Sequence, residues 1–178
     1  MRNRIPSEIV ASVLAATTVI LSLPPTNFPP WAVFVSWAGT FAAGGPKKDI
    51  FKKIYPAMPI GSAYALIIVL FFKWTSAWFP GHWDILGQML IIFVFNSLLM
   101  YTGRTKLFQF VPGMFFGFSS YFATYFGGWG PIAHNPFSAW IAVIIMNAVG
   151  PLYAWLNVKL SFPVAVKGSE NEEAAQQA

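Results

Sequence analysis

The residues best suited to chemistry in this sequence are uncharged polar side chains inside long apolar stretches. Asn96 and Asn147 lie near the middle of two stretches, Ser120 and Tyr121 lie in a third, and Thr40 lies in a fourth. A buried amide or hydroxyl group needs a hydrogen-bond partner, so these residues either join helices or line a path for a small uncharged solute. Other hydroxyl residues of these stretches are Thr17, Thr18, Ser36, Ser119 and Thr124.

Ionisable side chains are absent from the middle of the apolar stretches. Glu8 and Asp84 lie at the predicted starts of helices, where a carboxylate is favourable, and His82 and His134 lie in predicted loops. Proton and ion pathways use intramembrane carboxylates or histidines, so proton-coupled transport has no obvious carrier. The sequence has no cysteine, and its histidines lack carboxylates at ligand spacing. We therefore expect no catalytic residue, no metal site and no cofactor, and we expect that the protein is not an enzyme.

The composition indicates a membrane protein. Of the 178 residues, 56% are apolar and only 10% are charged, whereas about 25% of residues are charged in a typical soluble domain. So few charges cannot cover the surface of a globular protein of this size. The composition therefore argues against a soluble enzyme, and it argues even more strongly against a disordered chain.

Six apolar stretches predict six transmembrane helices. Backbone polar groups in lipid must be paired within their own segment, and no stretch shows the alternation of a transmembrane strand, so each is predicted to be helical. Most approach the roughly 20 residues that cross a bilayer. The predicted spans are about 7–23, 30–43, 54–72, 85–101, 107–126 and 137–156. Together they predict one all-α integral membrane domain over residues 1–166.

Basic residues lie in alternate loops of this predicted topology. Ten of the eleven fall on one side, and the opposite loops carry only Lys73. The ten are Arg2, Arg4, Lys47, Lys48, Lys52, Lys53, Arg104, Lys106, Lys159 and Lys167. The positive-inside rule then places both termini in the cytoplasm. Topology and lipid headgroups account for these cations, so we expect no nucleic-acid partner.

The two ends of the chain allow further predictions. Arginines precede the first span, as in a signal peptide, but Ser7 is typical of a helix N-cap, and Leu21–Pro25 contains no small-residue cleavage site. We therefore expect that the first span is retained as a transmembrane helix. Residues 167–178 contain three glutamates and no large apolar side chain, which predicts a disordered acidic cytoplasmic tail.

Spans two and five share a short pattern. Phe41-Ala42 matches Phe122-Ala123 at an offset of 81, and a glycine pair follows each match, after two additional residues in span five. The chain can therefore be divided into three spans plus three spans. An odd number of spans inverts the second half, which predicts two inverted three-helix repeats with a site near the midplane. Coincidence between apolar helices is the alternative.

Span five carries a stripe of small residues that includes Gly113 and Gly117. Small residues let membrane helices approach closely, so we predict helix packing at these two glycines, and we expect self-association of the chain through this face. Aromatic side chains surround the same span. We assign them to lipid and interface contacts, with a constriction as the alternative.

Two segments carry a resemblance to a known family. The Phe41–Gly45 ending of span two and the stretch Phe110–Gly117 resemble a small family of bacterial inner-membrane proteins of unknown function, typified by YcdZ. The resemblance covers about Trp31–Leu156. It implies a six-helix, multi-pass protein of a bacterial-type cytoplasmic (inner) membrane, and it implies no catalytic residues. The chain departs from that family in its aromatic content and in its longer loop after span five.

Two functions are compatible with these features. The first is a channel or facilitator for a small uncharged solute, with Asn96, Asn147, Ser120, Tyr121 and Thr40 as path-lining or helix-contact residues. The second is a structural or accessory subunit that packs within a larger membrane complex. Expected partners are the lipid bilayer and either further copies of the chain or other membrane subunits. The sequence does not identify the solute.

Overall fold

The computed structural model describes residues 5–76 and 82–161, and this part of the chain forms six α-helices and no strand. The helices are α1 (Ser7–Leu21), α2 (Pro30–Ala42), α3 (Lys48–Thr75), α4 (His82–Thr102), α5 (Val111–Phe126) and α6 (Pro136–Ser161). The prediction of an all-α fold with six helices is confirmed for the described residues. The predicted acidic tail, 167–178, lies outside them.

Three of the described helices are long and apolar enough to cross a membrane. They are α3, the Asp84–Thr102 part of α4, and α6, whereas α1 is apolar but shorter. With 13 and 16 residues, α2 and α5 extend only about 20 and 24 Å at 1.5 Å per residue. A hydrocarbon layer is about 30 Å thick. The expectation of six full-length spans is therefore corrected to three.

The ends of several helices differ from the predicted spans. Helix α5 begins at Val111 rather than at residue 107, because Pro112 lacks an N–H group and is tolerated only in the first turn. Helix α3 begins at Lys48 rather than at residue 54. The predicted span started too late because it was defined by the apolar stretch, and the first turns of α3 are charged. Ser7 is the first residue of α1 and is not its N-cap; that position belongs to Pro6.

Helices α3 and α6 run antiparallel through the middle of the bundle. The hydroxyl of Tyr55 donates to the carbonyl of Ala148 at 3.2 Å, and the indole N–H of Trp140 donates to Ser62 Oγ at 3.2 Å. Both helices continue through internal prolines. In α3 the hydroxyl of Ser62 donates to the carbonyl of Pro59 at 2.9 Å, which satisfies a backbone acceptor near the proline.

The remaining helices continue this alternation of direction. Gly113, at the start of α5, lies against Ala57 near the start of α3, and Lys73 and Tyr125, near the ends of the same two helices, form a cation–π contact, so α3 and α5 are parallel. Residues of both α1 and the end of α6 line one cleft, where Ile9 lies near Leu160. The two described ends of the chain therefore share one end of the bundle, whereas the cytoplasmic location of the termini stays a prediction.

Two loops meet at the opposite end of the bundle. The backbone N–H of Gly130 donates to the carbonyl of Asn27 at 2.8 Å, which joins the α5–α6 loop to the α1–α2 loop. The rings of Trp31 and Trp129 pack edge to face with centroids 4.8 Å apart. These contacts fix the entry to α2 relative to the exit from α5.

Helices α2, α3, α5 and α6 form the packed interior of the bundle, although α2 and α5 each expose one side, for example at Phe34 and Phe115. Helix α2 packs most extensively against α6, α5 packs most extensively against α3, and α2 and α5 also contact each other. Helix α4 lies outside: only 6% of its spanning segment is buried, against 50% for α3 and 44% for α6. The buried polar residues of the interior are therefore carried mainly by α2, α5 and α6.

Candidate functional site

We name five buried, uncharged polar side chains of α2, α5 and α6 the buried polar row. Its members are Ser36 and Thr40 of α2, Ser120 and Thr124 of α5, and Asn147 of α6. None is more than 2% exposed. Among the described residues, every buried polar side chain is a hydroxyl or an amide, so no buried charge accompanies the row.

Three of the four hydroxyl groups of the row, those of Ser36, Thr40 and Thr124, bond to their own helices. Thr40 Oγ1 donates to the carbonyl of Ser36 at 2.8 Å, and Thr124 Oγ1 donates to the carbonyl of Ser120 at 2.7 Å. Such bonds to the preceding turn satisfy the hydroxyl hydrogen inside an apolar helix. The lone pairs of each hydroxyl oxygen remain able to accept a hydrogen bond.

Asn147 joins the row across helices. Ser120 Oγ donates to Asn147 Oδ1 at 3.2 Å, which links α5 to α6. The amide nitrogen of Asn147 has no hydrogen-bond partner among the described residues, although the side chain is only 2% exposed. An unsatisfied buried donor costs about 1–3 kcal/mol, so this nitrogen is poised to bind an acceptor that the protein itself does not supply.

Gly150 lets α6 approach α2 at the level of Ser36. A methyl group on Gly150 would overlap Ser36 Oγ and would lie 2.6 Å from the carbonyl oxygen of Val33. Gly150 follows Asn147 by about one helical turn. Helix α6 therefore contacts Ser36 of α2 and Ser120 of α5 at adjacent levels, which brings the hydroxyls of α2 and α5 to the same helix.

Tyr121 is fully buried beside the row and anchors α5 to the start of α6. Its hydroxyl donates to the carbonyl of Pro136 at 3.2 Å, and its ring stacks on Tyr125 with centroids 6.1 Å apart.

Asn135 directly precedes α6, and its side-chain oxygen accepts hydrogen bonds from the backbone N–H groups of Phe137 and Ser138 at 3.1 and 2.9 Å. The Asn-Pro pair is therefore a helix cap.

The structure separates Asn96 from the other predicted site residues. Thr40, Ser120, Tyr121 and Asn147 lie on the packed interior helices, whereas Asn96 is half-buried on α4, where it borders an outer groove. The sequence does not distinguish Asn96 from Asn147, because both lie within apolar helices. Only the position of α4 outside the bundle distinguishes them.

Gly113 and Gly117 contact α3 within the same chain. A methyl group on Gly113 would lie 3.0 Å from the side chain of Ala57, and one on Gly117 would overlap the carbonyl oxygen of Met58. The stripe therefore serves the close packing of α5 against α3. Because α3 occupies this face, the stripe is not free to contact a second copy.

The sequence comparison missed the best register between α2 and α5. Ser36, Thr40 and Gly44 match Ser120, Thr124 and Gly128 without a gap, at an offset of 84 rather than 81. The two helices end alike: Gly45 N–H donates to the Thr40 carbonyl, and Trp129 N–H donates to the Thr124 carbonyl, each at 3.0 Å. A Ser-x3-Thr-x3-Gly spacing was the signal that could have revealed this register.

Within the described residues, His134 is not grouped with other side chains that could bind a metal ion. His134 lies against Gly128 and has a positive φ of 54°, and the side chain of His82 lies outside the described residues. Within the described part of the chain, no three side chains among His, Cys, Asp and Glu are grouped so that they could hold a metal ion.

Comparison with known proteins identifies one family. Residues 8–161 match the profile of a family described as protein of unknown function (DUF1097). No curated protein matches the chain, and no solved structure matches it. The matched region runs from the first turn of α1 to the end of α6, so it contains the whole buried polar row.

Proposed function

We propose that this chain, which belongs to the family described as protein of unknown function (DUF1097), is a multi-pass inner-membrane protein that passes a small uncharged solute along the buried polar row. The unpaired amide nitrogen of Asn147 carries this proposal. A helix contact alone is served by the bond from Ser120 to Asn147 Oδ1. A solute carbonyl would satisfy the remaining donor.

The chemistry of the row favours a neutral solute. An ion would lose its hydration without a compensating charge, because no buried side chain among the described residues is charged. A solute with an amide, hydroxyl or urea-like group could accept from Asn147 and donate to the oxygens of Thr40 and Thr124. The same lack of buried ionisable groups supports transport rather than catalysis.

The packing of the interior helices supports the inverted-repeat hypothesis. If the second half repeats the first, α5 corresponds to α2 and α6 corresponds to α3. The main contact of α2, which is with α6, then corresponds to the main contact of α5, which is with α3. The matching helix endings at Gly44 and Gly128 agree with this correspondence. In inverted repeats the substrate site lies near the midplane between the halves. The contact of Gly150 in α6 with Ser36 in α2, one turn from Asn147, joins the two halves.

The row is sealed in this conformation. Each of its side chains is buried, so a solute can enter only after the interior helices separate locally. The Ser120–Asn147 hydrogen bond joins two of these helices and is therefore a contact that passage would break and reform. We propose that the sealed packing is the resting state of the path.

Flux measurements in proteoliposomes test the proposal, with urea, acetamide and glycerol as probes. We expect flux of at least one probe above that of empty vesicles. Asn147→Leu should lower it about tenfold, the effect of one lost hydrogen bond of about 1.4 kcal/mol. Thr18→Val is the matched control, because Thr18 is equally buried on α1 but outside the row. No flux of any probe, or equal losses in both variants, would overturn the proposal.

The sealed packing also favours a second candidate, an accessory subunit of a larger membrane complex. Three of the four row hydroxyls are already bonded within their helices, as in a protein that functions by packing alone. Purification in mild detergent separates the two candidates. A stoichiometric foreign membrane subunit, together with no flux by the isolated chain, would favour the accessory function.

A further inference from the structure

A groove of about 410 Å³ lies along the last turns of α4, away from the buried polar row. The described residues that line it are Asn96, Ser97, Met100, Tyr101 and Arg104. Among these described residues one is cationic and none is acidic. The helix that carries it is the least buried of the three long helices, so the groove opens to the surroundings of the bundle.

The lining residues change in chemistry along the groove. The guanidinium of Arg104 lies 5.3 Å from the centre of the Tyr101 ring, just beyond the end of α4. Asn96 lies roughly 7.5 Å from Tyr101 along α4, at about 1.5 Å per residue. Aromatic residues at the ends of membrane helices mark the headgroup level. The groove therefore presents a cation at that level and an amide at a greater depth.

We infer that this groove binds an anionic phospholipid. The Arg104 guanidinium matches a lipid phosphate in charge and in hydrogen-bonding geometry. The half-buried amide of Asn96 matches a glycerol ester carbonyl, which accepts the hydrogen bond that the apolar side chains around it cannot accept. Met100 and the exposed apolar side chains of α4 contact the acyl chains.

Charge decides between a lipid and a second copy of the chain in this groove. A two-fold contact through α4 would bring two Arg104 side chains to the same depth, and no acidic residue lines the groove to separate them. Like charges at such a contact are unfavourable. Ser97 offers little to a protein partner, because its hydroxyl already donates to the carbonyl of Phe93 at 2.7 Å.

Lipid retention by the full chain tests the inference. We would titrate the protein in mild detergent with phosphatidylglycerol or phosphatidylcholine and count bound lipids by native mass spectrometry. We expect one phosphatidylglycerol to be retained selectively. Arg104→Gln should weaken this binding about tenfold, the effect of losing one hydrogen bond to a charged group. Lys106→Gln is the matched control: Lys106 is an exposed cation of the same loop outside the groove, and its loss should leave binding unchanged.

Asn96→Leu and glycerol phosphate complete the experiment. Asn96→Leu should weaken the binding of both phosphatidylglycerol and phosphatidylcholine, because it removes the deeper contact. Glycerol phosphate should not displace the bound lipid. Equal binding by the Arg104 and Lys106 variants would overturn the inference, as would displacement by glycerol phosphate. A dimer that forms without lipid and is lost in Asn96→Leu would instead assign the groove to a second copy.

Discussion

The backbone of Gly117 in α5 lies directly against the carbonyl oxygen of Met58 in α3, with no room for a side chain between them. This contact belongs to the most extensive helix pair of the bundle. It fixes how α5 is rotated relative to α3. The rotation in turn points Ser120, three residues further on, toward Asn147 of α6.

Replacing Gly117 with leucine should therefore destabilise the monomer. Overpacking of a core costs about 1–3 kcal/mol, and more where backbone is the obstacle. Thermal unfolding in detergent would measure the loss, and native mass would report association. Gly87→Leu is the control, because a side chain at Gly87 meets nothing within 4 Å. Unchanged stability of Gly117→Leu together with loss of an oligomer would return this stripe to an interface between copies.

The hydrogen bond between Ser120 and Asn147 should appear as a coupling free energy. Ser120→Ala and Asn147→Leu each remove it, so the double variant should lose less stability than the two single variants added together. Hydrogen bonds between membrane helices contribute about 0.6 kcal/mol on average, and up to about 1.7 kcal/mol. Unfolding of the four proteins in detergent would give the coupling. A coupling of zero would mean that the two side chains do not contact each other in the membrane.

Removing the side chain of Asn135 should weaken the start of α6. Its carbonyl oxygen accepts from two backbone N–H groups of the first turn. Loss of such a cap costs about 0.5–2 kcal/mol, so Asn135→Ala should lower the unfolding temperature. Asn135→Asp keeps an acceptor in place and should retain most of the stability. Equal losses in the two variants would assign the effect to the surrounding loop.

Hydropathy predicts that these helices exist but not where they end. Lys48 and the charged residues after it are excluded from an apolar span, yet the α-helix continues through them because its hydrogen bonds do not require apolar side chains. At α5 the boundary was set by Pro112, which confines the helix start to its own first turn. Local backbone chemistry, not hydropathy, determines where α3 and α5 begin.

The candidate site was predictable residue by residue but not as a set. Thr40, Ser120 and Asn147 could be chosen because each is an uncharged polar residue in an apolar helix. Their association depends on close approaches that single glycines allow, such as Gly150 against Ser36. Asn96 meets the same sequence criteria. The apolar residues of α4 itself are distributed around the whole helix, so the sequence does not indicate which of its faces is buried.

Labelling of introduced cysteines should reveal alternating sidedness of the loops. The chain has no cysteine, so single cysteines at Ser7, Lys106 and Ile132, all exposed, report without background. Ser7 and Lys106 lie at the basic end of the predicted topology, and Ile132 lies in the α5–α6 loop at the opposite end. In inside-out membrane vesicles a membrane-impermeant maleimide should label Ser7→Cys and Lys106→Cys but not Ile132→Cys, because the positive-inside rule places the basic end in the cytoplasm. Intact spheroplasts should give the reverse pattern. Labelling of Lys106→Cys and Ile132→Cys from the same side would contradict the predicted alternation of the loops, and with it the inverted arrangement of the two halves.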